Sequence, residues 1–110
     1  MAHYLVRGRP RDGAIDELRE RLRAEAFVDL EPFGAALTRS LRNARRDGDT
    51  VVWEEEDYCS PPLAEEREAV LDEYFEDIRG ERVERGEGWG QIESLDRLFP
   101  ALADGRSSGS

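Results

Sequence analysis

The run from Val51 to Arg67 constrains the fold more than any other part of the sequence: Val-Val-Trp-Glu-Glu-Glu-Asp-Tyr-Cys-Ser-Pro-Pro-Leu-Ala-Glu-Glu-Arg. Val51, Val52 and Trp53 are all bulky and apolar, and successive side chains on a strand point to opposite faces. At least the start of this strand is therefore expected to be buried on both sides. The acids that follow divide in the same way, Glu54 and Glu56 to one face, Glu55 and Asp57 to the other. Pro61-Pro62 fixes the entry of a helix, with Ser60 or Asp57 as its N-cap. Leu63, Val70, Leu71, Tyr74, Phe75 and Ile78 mark that helix's apolar face.

The remaining elements are arranged around this centre. His3, Leu5 and Arg7 alternate with Tyr4 and Val6, which predicts a first strand over residues 2–8. Asp12 is a candidate N-cap for a helix whose stripe is Ile15, Leu18 and Leu22, ending near Ala26. Pro32 suits the first turn of a second helix carrying Phe33, Ala36, Leu37, Leu41 and Ala44. That helix is expected to end on Arg42, Arg45 and Arg46 before Asp47-Gly48-Asp49, where cations oppose the negative end of the dipole. Thr50 to Glu55 forms the second strand. A third strand over about 77–84 is dominated by charge, which suits an edge. Gly86, Gly88 and Gly90 around Trp89 predict a loop. Leu95, Leu98, Phe99 and Leu102 predict a short final helix capped by Ser94.

The expected class is α+β: a small, about three-stranded sheet with helices packed on one face, in the order β-α-α-β-α-β-α. Helical crossovers between strands favour parallel neighbours. Residues 1–103 are expected to form a single domain, and 104–110 a disordered tail.

Charge narrows the partners. The chain carries −10 overall, and all 16 basic residues are arginine. Residues 1–50 carry a net +1 and residues 51–110 a net −11. An acidic half disfavours nucleic acid and anionic membranes; it suits solubility or a basic protein partner. No apolar run approaches the roughly 20 residues of a membrane span, and no signal-peptide pattern opens the chain. One cysteine cannot form an internal disulfide, so a reducing cytoplasm is the expected compartment.

The acidic strand end is the first candidate for chemistry. Glu54 and Glu56 could act as an acid/base pair or hold a hard cation, with His3 approaching if the two strands are neighbours. Cys59 precedes a helix N-terminus, which lowers a thiol pKa, but its acidic neighbours raise it. The catalytic candidates are thus Glu54, Glu56, Cys59 and His3, and the binding candidates Glu55, Asp57, Tyr58, Arg7, Arg9 and Arg11. The spacing matches no recognised metal site, so neither a metal nor another cofactor is expected. Gly86-Glu87-Gly88-Trp89-Gly90 lacks the Lys-Ser/Thr of a phosphate loop.

Arg7-Gly8-Arg9-Pro10-Arg11 resembles the core of an AT-hook, over five residues. The resemblance implies arginines laid in the minor groove of AT-rich DNA. The following Asp12 and the acidic chain depart from the pattern, and the same arginines could instead pair with the chain's own acids. Taken together, the sequence favours a non-catalytic interaction or regulatory module, homodimeric through exposed sheet edges and an open sheet face. A small enzyme or metal-binding protein using Glu54–Cys59 is the alternative, and DNA binding through Arg7–Arg11 a third.

Overall fold

A computed structural model describes residues 2–57 and 63–103 of the protein. Strand β1 spans Ala2–Pro10 and is followed by helices α1 (Ala14–Arg23) and α2 (Gly34–Arg42). A hairpin then joins β2 (Arg45–Asp47) to β3 (Thr50–Asp57). Gly48 opens the two-residue turn with φ +64°, a conformation that favours glycine there. Helix α3 is built from Ala64–Glu66, a π-helical stretch Arg67–Leu71, and Asp72–Tyr74. Strand β4 (Phe75–Val83), helix α4 (Glu87–Ile92) and strand β5 (Asp96–Arg97) complete the described chain.

The strands form one sheet in the order β4-β1-β3-β2-β5, and every neighbouring pair is antiparallel. This corrects the expected three-stranded, one-sided sheet with parallel neighbours. The crossovers do join strands of like direction, β1 to β2 through α1 and α2, and β3 to β4 through α3. In each case one antiparallel strand lies between the two. The first four strands thus have the connectivity of the split β-α-β, or ferredoxin-like, arrangement. The two strands that were not foreseen are only three and two residues long. Arg45 and Arg46 belong to β2, not to a helix C-terminus. Asp96 and Arg97 are β5, not the interior of a last helix.

Nor are the helices confined to one face of the sheet. On one side Val6, Val51 and Trp53 pack against Leu18 and Leu22 of α1, Leu37 and Leu41 of α2, Val70 and Leu71 of α3, and Phe99. On the other side Leu5, Val52 and Val83 pack against Ile92 of α4, the glycine-rich segment expected to be a loop. Trp53 is fully buried, its ring centroid 5.2 Å from that of Phe75.

A bulge sets that contact. Between Arg7 and Arg9 on β1, β4 advances three residues, from Arg79 back to Glu76. Asp77 takes up the extra step at φ +55°. The added residue inverts the alternation, so Phe75 faces the Trp53 side although Gly80 and Ile78 already do. Tyr58, Cys59 and residues 104–110 lie outside the described residues, so the expectations for them carry no structural account.

Candidate functional site

The register of β1 on β3 decides the role of each acid at the strand end. Leu5 lies opposite Glu54, His3 opposite Glu56, and Tyr4 opposite Glu55. Glu54 is 4% exposed and points at α4. Its Oε2 accepts the Gly86 N–H at 2.7 Å and its Oε1 the Trp89 N–H at 3.1 Å, so it satisfies donors at the helix start. Gly88 is what lets α4 come this close. A Cβ there would sit 3.0 Å from Glu54 Oε1 and 3.1 Å from Leu5 Cδ1.

Glu55 lies on the opposite face, beneath the helices, and is 1% exposed. Its Oε1 accepts the Trp53 indole N–H at 2.8 Å, and its carboxyl lies beside that of Glu66. Burial pushes its carboxyl up to about 8; the Trp53 hydrogen bond opposes this, and the neighbouring Glu66 and Asp57 reinforce it. Asp57 Oδ1 accepts the Leu63 N–H at 2.9 Å, just before α3. Three of the four acids are therefore engaged in holding helices and core.

Glu56 faces outward with His3, their Oε2 and Nε2 3.9 Å apart. This pair, which the sequence brought together only on the condition of neighbouring strands, opens onto a groove between α2 and α4. The wider part has a volume of about 530 Å³ and is lined by Arg39, Ser40, Asn43, Arg45, Trp89 and Arg97, among others. A narrower arm of about 360 Å³ continues past Arg39 and Trp89 to Arg85, His3, Glu54 and Glu56. α2 is available here because β2 pairs only with Thr50–Val52, and α2 packs along β3.

Arg45 and Arg97 are direct cross-strand partners on β2 and β5. Arg45 Nη1 donates to the carbonyls of Glu93 at 2.9 Å and Leu95 at 2.7 Å, and Arg97 Nη1 donates to Asn43 Oδ1 at 3.2 Å. Desolvation lowers the Arg45 pKa and the facing Arg97 charge lowers it further, while Glu93, which also lines the groove, opposes both. Like charges directly opposed across strands are unfavourable. Sequence reasoning missed this site because Arg39, Arg45 and Arg97 come from three elements, two of them strands too short to show a pattern. A run of arginines before a Gly turn reads locally as a helix end.

The binding candidates Arg7, Arg9 and Arg11 are not brought to this groove. Arg7 Nη1 reaches Asp47 Oδ2 at 2.9 Å, and Arg9 pairs with Asp77 and, at 3.9 Å, with Glu76. Arg11 Nε donates to the Asp72 carbonyl at 3.0 Å, with Glu76 at 3.8 Å. Arg7 to Pro10 lie within β1, so this segment is folded, and its arginines meet the chain's own acids.

Among the described residues no group of three His, Cys, Asp or Glu converges to hold a metal ion, and no helix is long and apolar enough to cross a membrane. Comparison with protein-family models, with curated proteins and with solved structures found no match.

Proposed function

We propose that the protein is a non-catalytic regulatory module that binds a small organic anion in the groove between α2 and α4. The observation that carries this reading is the Arg45–Arg97 pair, two guanidinium groups held opposite each other at the groove. A carboxylate or phosphate between them would turn an unfavourable arrangement into charge-assisted hydrogen bonds, which the guanidinium fork suits. Arg39 adds a further positive charge at the rim, and Trp89 supplies an apolar wall. The volume falls within the range of small-molecule sites. A reducing cytoplasm suits a chain with one cysteine.

Calorimetric titration with pyrophosphate and with a tricarboxylate tests the proposal. Saturable 1:1 binding is expected, weakening with salt, and about tenfold weaker in Arg97→Gln. Absence of saturable binding to both anions, or equal affinity in Arg97→Gln, would overturn it. A second reading, a small enzyme, rests on His3 and Glu56 at the narrow arm. It requires that His3→Ala abolish turnover of a bound anion while leaving its affinity intact.

A further inference from the structure

Strand β4 forms one border of the sheet, with β1 on its inner side and no strand paired to its outer side among the described residues. A nine-residue border whose outer side pairs with no strand among the described residues is a template for another strand. Many such borders are protected by charges of one sign, which repel any incoming copy. The charges on this one alternate instead. Arg79, Gly80, Glu81 and Arg82 are all exposed. Among the described residues, neither Arg79 nor Glu81 makes a side-chain hydrogen bond or ion pair, unlike Glu76 and Asp77, which are engaged by Arg9 and Arg11.

The bulge at Asp77 ends regular pairing on one side and leaves Ile78 to Val83 as the usable stretch. A two-fold antiparallel pairing must place some residue opposite itself, and the candidates near the middle are Arg79, Gly80 and Glu81. Centring on Arg79 opposes two arginines and runs into the bulge. Centring on Glu81 opposes two carboxylates. Centring on Gly80 places Arg79 of each copy opposite Glu81 of the other on one sheet face. On the other face it sets Ile78 opposite Arg82, whose aliphatic stem can lie over it. Gly80 at the axis has no side chain to collide with its counterpart.

We infer that the outer edge of β4 pairs with the same edge of a second copy about a two-fold axis at Gly80, joining two sheets through reciprocal Arg79–Glu81 contacts. The contact is isologous, so each stabilising pair occurs twice. It adds strands by main-chain hydrogen bonding, with the charges fixing register. This surface is distinct from the groove and does not depend on it.

Sedimentation velocity of the full chain over a concentration and salt series tests the inference, with circular dichroism confirming that each variant is folded. The wild type should dimerise reversibly and more weakly at high salt. Arg79→Glu and Glu81→Arg should each raise the dimer dissociation constant about tenfold or more, because two contacts turn repulsive. An equimolar mixture of the two variants should recover the dimer, since each then faces its opposite charge. The double variant Arg79→Glu/Glu81→Arg should associate like the wild type. A wild type that is monomeric throughout, single variants that associate unchanged, or a mixture that fails to recover association would each overturn it.

Discussion

Glu55→Gln is the most informative single substitution, because the environment of this residue predicts both the sign and the size of its effect. The folded protein holds the Glu55 carboxyl at about 8, against the usual 4.5 of an unfolded chain. Between those two values the folded state keeps a proton that the unfolded state has released. Stability must then fall as pH rises through this window, by up to about 1.4 kcal/mol per pH unit, and level off above pH 8. Over the whole window the loss is on the order of 5 kcal/mol. The causes are physical and local: an almost fully buried carboxyl, an acidic neighbour in Glu66, and a further one in Asp57, offset in part by the Trp53 N–H. Glutamine keeps the acceptor for Trp53 and offers Glu66 a permanent donor, without a charge to bury. Urea unfolding, followed by tryptophan fluorescence from about pH 5 to about pH 9, gives the stability difference between variant and wild type. That difference should grow in favour of Glu55→Gln by several kcal/mol across the range and stop growing near pH 8. The comparison cancels other titrating groups that the substitution does not disturb. A difference that is flat with pH would show that Glu55 ionises as it does in an unfolded chain, and would refute the argument from its burial.

Two further outcomes test the packing. Trp53→Ala should cost about 3–5 kcal/mol in the same unfolding assay, because it empties a fully buried site against Phe75; a loss under about 1 kcal/mol would contradict its place in the core. Gly88→Ala should cost about 1–3 kcal/mol by forcing α4 away from Glu54 and Leu5. Gly90→Ala, which meets nothing within 4 Å on the same helix, should instead stabilise by roughly 0.5–1 kcal/mol. Equal effects at the two glycines would refute the close approach of α4 to the sheet.

The sequence made some of this legible and concealed the rest for identifiable reasons. Alternation in His3–Arg7 and the apolar run Val51–Trp53 located two strands of the sheet centre, and the stripe of Leu18 and Leu22 located α1. These patterns span several residues, so they survive without tertiary information. Strands of two or three residues carry no period, and β2 and β5 were accordingly absorbed into helices. Helix α4 was hidden by its glycines, whose purpose in one case is close contact with a carboxylate on another strand. The alternation of Glu54–Asp57 was readable, but the burial of Glu55 was not. A charged residue is ordinarily assigned to water, and only the placement of α3 over the strand end reverses this. The groove is the extreme case. Its arginines are joined by strand register and by the packing of α2 along β3, and no local motif announces them.

The two borders of the sheet are unequal, and the inequality limits growth. At the border opposite β4, strand β5 offers only Asp96 and Arg97. A segment of that length leaves an incoming strand most of its backbone groups in water, too little to hold a neighbour. At the two ends of the sheet, addition of copies through strand pairing can then proceed from the β4 side only, and once β4 is occupied neither end offers a border of comparable length among the described residues. Edge pairing in this protein would therefore end at a closed pair, without the open-ended stacking by which two matched borders make fibres.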